Sequence, residues 1–378
     1  MVPDGDGGRT PFRGRVAAAI RELHPSYFAF VMATGIISTG AFVLGPAWLS
    51  QALLVIASIG FVVLVAALGI WLARYRSRVV AEFRAPERVF GFFAISASCD
   101  LLGARFASAG HPMVTTVLAC VAAVVWFVLT YGVPASLLLA GQRDSVLGGI
   151  NGTWLLWVVA TQSLSVDAST LFPVWPSQSR LLATAAVALW GVGLVLYLLL
   201  VSSIWQRWLT VAMIPATLSP PYWILMGATG IIVLAGSDIV TLPGSVPAVS
   251  AIAGFVKGAC LVFWSFGSWW IPLLVVLGFW RHVLRQWPLR YDPALWTVVF
   301  PVGMYGVATR SFGKAAGIGF MEPWSRAVLW VAVAAWLLVA AAGLARLACR
   351  PAQPRTPATS PAQHDQATDS LLVEHRPS

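Results

Sequence analysis

Side chains able to make or break bonds are sparse in this chain, and their spacing argues against catalysis. The five histidines, His24, His111, His282, His364 and His375, fall at the edges of apolar runs or in the tails. No Walker-type glycine loop, HExxH pair or nucleophile with a plausible partner occurs, so no enzyme activity is expected. Cys99, Cys120, Cys260 and Cys349 lie in or at the ends of apolar runs without CxxC spacing. They read as small packing residues, so neither a metal site nor a cofactor is expected. What remains is a set of polar groups inside apolar segments. The hydroxyls are Thr34, Ser38, Ser96, Ser98, Thr161, Thr229 and Thr309; the ionisable groups are Asp100, Asp238 and Lys257, with Arg105, Arg310 and Lys314 at segment ends.

Hydroxyl dipoles can solvate an anion weakly enough to let it leave again, which is what conduction needs. The competing use of each hydroxyl is a bond to a carbonyl of its own helix. Lys257 and Asp100 read as a neutralising pair, the alternative being that Lys257 attracts anions. Arg105, Arg310 and Lys314 would form a positive outer mouth that concentrates anions; ordinary interfacial snorkelling accounts for them equally well.

The elements that must position these groups are membrane helices. The chain has 378 residues, of which 58% are hydrophobic and 10% charged, with mean hydropathy +0.80. A soluble domain carries roughly a quarter charged residues. The net charge of +10 resides in loops beside apolar runs, so it points to membrane topology and not to nucleic acid. Of the 24 basic residues only Lys257 and Lys314 are lysine, a bias that fits a GC-rich bacterial genome and hence an inner-membrane location.

At about 20 apolar residues per crossing, ten spans are expected, near residues 24–45, 48–73, 88–108, 112–139, 149–166, 179–204, 219–238, 247–280, 292–313 and 326–349. Residues 1–23 form a tail with a basic amphipathic segment, RGRVAAAIREL, and residues 350–378 read as disordered. With both termini on one side, that side holds eighteen basic residues and the other holds Arg105, Arg180, Arg310, Lys314 and Arg326. Both termini are therefore expected in the cytoplasm. The Asn151 sequon falls at an inner membrane edge, where it reads as a helix start.

An internal repeat links the odd-numbered spans. HPSYFAFVMATGII (24–37) aligns without a gap on SPPYWILMGATGII (219–232), and Pro293 with Gly303 fits the same frame. Proline at a first helical position is tolerated. Ten residues further on, Gly35, Gly230 and Gly303 would lie roughly 15 Å deep. Small residues at one depth serve close helix packing or leave a narrow bore. Pro301 decides for the bore, because a proline break in a membrane helix is tolerated mainly where protein or water covers it. Phe300, a bulky ring beside that break, stands where a plug would sit. The even-numbered spans are smoothly apolar with Trp and Arg at their ends, as expected of lipid-facing staves. The expected architecture is all-α: ten transmembrane helices as five hairpins, odd helices inside.

The segments HPSYFAFVMATGIIS, NGTWLLWVVATQS, SPPYWILMGATG, FWSFGSWWIPLLVVLGFWRH and YDPALWTVVFPVGMYGVAT resemble the tellurite-resistance/dicarboxylate transporter family, which is related to slow-type anion channels. The resemblance implies a quasi-fivefold ring with odd helices lining a central pore. It also implies a homotrimer with one pore per protomer, conduction of small anions, and occlusion by Phe300. A passive anion channel is the reading this supports. The alternative is a proton-coupled carrier of dicarboxylates, sulfite or tellurite, with Asp100 or Asp238 titrating. A membrane scaffold or sensor without flux is disfavoured by the repeated Pro-started, Gly-bearing helices.

Overall fold

A computed structural model describes residues 12–139 and 146–348. The expected tails at residues 1–11 and 350–378, and Arg143 and Cys349, lie outside the described residues. Within them the chain is helical throughout, without a strand.

The first element, α1 (Phe12–Arg21), is a short helix packed on α3. Five hairpins follow. The first helix of each is α2 (Ala29–Leu44), α5 (Phe93–Ser108), α7 (Leu156–Leu171), α9 (Ile224–Thr241) or α11 (Trp296–Ala316). The second is α3 (Ala47–Arg74), α6 (Pro112–Leu139), α8 (Ser179–Thr210), α10 (Pro247–Phe279) or α12 (Met321–Ala348). A short exposed helix, α4 (Arg76–Arg84), joins the first two hairpins.

Each first helix is preceded by a 3-10 turn, at Pro25–Phe28, Val89–Phe92, Gly152–Leu155, Pro220–Trp223 and Pro293–Leu295. His24, Asn151 and Asp292 cap three of these turns by accepting from the backbone N–H of Ser26, Thr153 and Ala294. Asn151 is thus a helix start, as its position predicts.

Two layers result, distinguished by burial. In the spans that contain α2, α5 and α9, 67–89% of the central window is buried; for α3, α6, α8, α10 and α12 the figure is 11–28%. The remaining first helices, α7 and α11, are likewise mostly buried. Around the inner layer α2 packs on α5, α5 on α7, α7 on α9, α9 on α11, and α11 back on α2; each outer helix packs on its own hairpin partner.

Among the described residues eight helices are long and apolar enough to cross a membrane. The two expected spans outside this set are α7 and α11. The first carries Gln162, Asp167 and several hydroxyls, the second Arg310 and Lys314. An inner helix faces protein instead of lipid and so tolerates this polarity. Pro134, Pro272 and Pro301 all lie inside helices, and α10 ends in a π turn, Trp280–Leu284.

Candidate functional site

The inner layer is organised around Pro301. Its ring sits against Gly227, where a methyl group would lie 2.9 Å from the proline Cγ, so α9 and α11 touch where α11 loses a backbone hydrogen bond. This explains one of the differences between the two copies of the repeat: Met32 occupies the place that Gly227 takes in the second.

Gly230 and Gly303 serve the same kind of contact. A methyl at Gly230 would meet Met304 Cγ at 3.1 Å, and one at Gly303 would meet Ile36 Cγ2 at 2.9 Å. Gly35 differs. It is buried in the bundle, yet a methyl there would find nothing within 4 Å, so this glycine borders an internal void. Phe300, on the turn that holds Pro301, is 1% exposed and belongs to the main apolar core.

The seven hydroxyls all give their protons to carbonyls. Thr34, Thr161 and Thr309 bond the carbonyls of Phe30, Trp157 and Tyr305 in their own helices at 2.6–2.8 Å. Thr229 bonds Met226, and Ser98 bonds Ala94 and Phe28. Ser96 reaches Ala122 in α6, while Ser38 and Ser50 exchange bonds with each other's carbonyls between α2 and α3.

Three of these threonines also accept an indole N–H from the outer layer. Trp126 of α6 donates to Thr161 at 2.8 Å, Trp264 of α10 to Thr309 at 2.9 Å, and Trp336 of α12 to Thr34 at 3.0 Å. In each case the outer helix of one hairpin binds the inner helix of the next. The even-helix tryptophans read from sequence as interfacial anchors, so this role has no signal there.

Of the expected mouth residues, Arg105 is 2% exposed; its Nε and Nη2 donate to Ser38 and Ser50, and its guanidinium lies over the Phe42 ring. It ties α5 to α2 and α3. Arg310 pairs with Glu322 at 3.1 Å, and Lys314 is exposed. Asp238 is partly buried near the end of α9.

The expected Lys257–Asp100 pair does not form. Lys257 is exposed on α10, which packs on α9, α8 and α11 and not on α5. Asp100 is instead buried without a partner on α5, which packs on α7; there Asp167, a residue that sequence reading passes over because it falls beyond the expected end of its span, is buried likewise.

At the end of the bundle where α2 begins, His24 Nε2 lies 3.4 Å from Glu82, which also accepts from Arg88 at 2.9 Å. The hydrogen bond from His24, helped by its charge and that of Arg88, holds the Glu82 carboxyl below its ordinary range despite partial burial.

The two-layered helical bundle, with an apolar outer surface and a buried inner layer, is that of a membrane protein. The family profile described as "Voltage-dependent anion channel" matches residues 22–344, and the chain belongs to that family. An uncharacterized membrane protein of Mycobacterium tuberculosis is 45% identical over 153 residues, 40% of this chain and 77% of its own. An uncharacterized transporter of Methanocaldococcus jannaschii is 23% identical over 334 residues, covering 84% of this chain and 92% of its own; a second from the same organism is 22% identical over 335 residues.

Proposed function

We infer that this chain is a passive channel for small anions, with ten membrane helices in a quasi-fivefold ring and a path through the inner layer that Phe300 closes. The observation that carries this reading is the void beside Gly35 within an otherwise close-packed layer. The closed contact cycle from α2 round to α11 supports it, because such a cycle encloses an axis. The committed hydroxyl protons and the paired arginines make the path largely apolar, so small anions pass by size and weak dipolar contacts, and an apolar constriction blocks them by excluding water. In a cell the protein sits in the bacterial inner membrane with both termini cytoplasmic, as a homotrimer with one path per protomer.

The test is flux from proteoliposomes of purified protein against chloride, nitrate, sulfite, tellurite and malate. Flux that follows each anion's electrochemical gradient alone supports the channel. Saturating flux that requires a proton gradient replaces it with a coupled carrier. Phe300→Ala is expected to raise anion current several-fold in a folded protein; a well-folded variant with wild-type current sinks the gate.

A further inference from the structure

Asp100 of α5 and Asp167 of α7 are 1% and 2% exposed, on two inner helices that pack against each other. None of their four carboxyl oxygens receives a backbone, amide, guanidinium or hydroxyl donor from the described residues. Intramembrane carboxyls are ordinarily paired with cations or donors. These two have neither.

An ionised carboxylate can only accept hydrogen bonds. With no donor to accept from and no cation beside it, a buried carboxyl is favoured in its neutral form, so the pair holds at least one proton. A third unpartnered polar group lies on α7. Ser163 Oγ is 1% exposed and has no partner. It stands four residues before Asp167 and so on the same face of α7. Counted from the first residues of the preceding 3-10 turns, Val89 and Gly152, Asp100 and Ser163 are both eleven residues along, and so at one depth.

Other ionisable groups nearby supply no counter-charge. Cys99 is buried beside the pair, and Arg105 is turned to Ser38 and Ser50. Within the surrounding helices α2 has no ionisable side chain, α3 has Arg74 at its end, and α6 has Cys120 and Tyr131 on its exposed face. On α8, Arg180 and Arg207 stand at opposite ends and Tyr197 donates to the Leu225 carbonyl; on α9 only Asp238 ionises.

We propose that Asp100 and Asp167 form a proton-binding site in the inner layer, and that loss of its proton lowers anion passage. The released proton goes to water and leaves one more negative charge between α5 and α7, which opposes an anion in the adjoining path. Ser163 donates to the carboxylate so formed. The flux half of this proposal rests on the anion-channel reading; the proton site does not.

Two measurements test it separately. Infrared titration of purified protein in lipid is expected to show a protonated-carboxyl band that fades as pH rises. Asp100→Asn with Asp167→Asn should remove the band, and Asp100→Glu should shift it. A wild-type protein without the band, or a double variant that keeps it, overturns the site. Nitrate flux from proteoliposomes, with equal pH on both sides, should fall with rising pH in wild type and lose that dependence in the double Asn variant. An unchanged pH profile overturns the link to flux. If wild type and Phe300→Ala both pass no anion while the band behaves as stated, the channel reading fails and the proton site stands. If the double variant does not fold, wild type and Asp100→Glu decide by the same band.

Discussion

The indole of Trp336 donates to the hydroxyl of Thr34 across 3.0 Å, joining two helices whose residues are 302 apart in sequence. Thr34 passes its own proton to Phe30, so the pair forms a short chain from outer helix to inner backbone. Such bonds inside a membrane contribute about 0.6 kcal/mol on average.

Trp336→Phe and Thr34→Val should each lower thermal stability in detergent, and the double variant should lose less than the sum, with a coupling of roughly 0.5–1.5 kcal/mol. Strictly additive losses would show that the two groups do not act together.

Lys257 gives the opposite expectation. It is exposed and pairs with no carboxylate among the described residues. Lys257→Met should leave the melting behaviour within about 0.5 kcal/mol of wild type. A marked loss would restore a buried partner for this lysine.

The tie between His24 and Glu82 predicts a pH dependence of definite sign. The Glu82 carboxyl is held below its ordinary value chiefly by the hydrogen bond from His24, so its ionised form is favoured in the fold. That contribution is complete above the unfolded glutamate value, about 4.3, and disappears as pH falls through the lower folded value. The stability difference between wild type and Glu82→Gln should accordingly shrink as pH falls through the acid range. A difference that stayed unchanged in acid would assign the effect to another group.

Orientation is tested by labelling. Ser77 lies in α4 among Arg74, Arg76, Arg78 and Arg84. A cysteine at Ser77 in a cysteine-free background should resist an impermeant external thiol reagent in intact cells and react after permeabilisation. Reaction in intact cells inverts the topology.

Much of the helical order is legible in the residues. Proline at helix starts and the ATGII repeat mark α2 and α9, and the same frame finds α11. Two further 3-10 starts, at Val89 and Gly152, escape that pattern because they lack the proline and rest on close approach instead. A methyl at Gly152 would collide with the Pro221 backbone, so glycine itself is the signal there. The Lys257–Asp100 pairing fails for a different reason: shared depth does not give neighbours, and only the order of packing around the inner layer separates α10 from α5. Hydroxyls on inner helices are visible in sequence, but their direction is not, because each can turn to a carbonyl behind it.

The contacts of α2 with α11 and α12 have a consequence for biosynthesis. A chain made from its N-terminus inserts α2 among the first helices and must hold it with one flank uncovered until nearly the whole length has left the ribosome. Until then Thr34 lacks the indole of Trp336, and Ile36 and Ile37 lack their contact with Gly303. A half-built chain is thus an open row of helices and not an enclosure. On the channel reading, completion of synthesis and creation of the path would be one event.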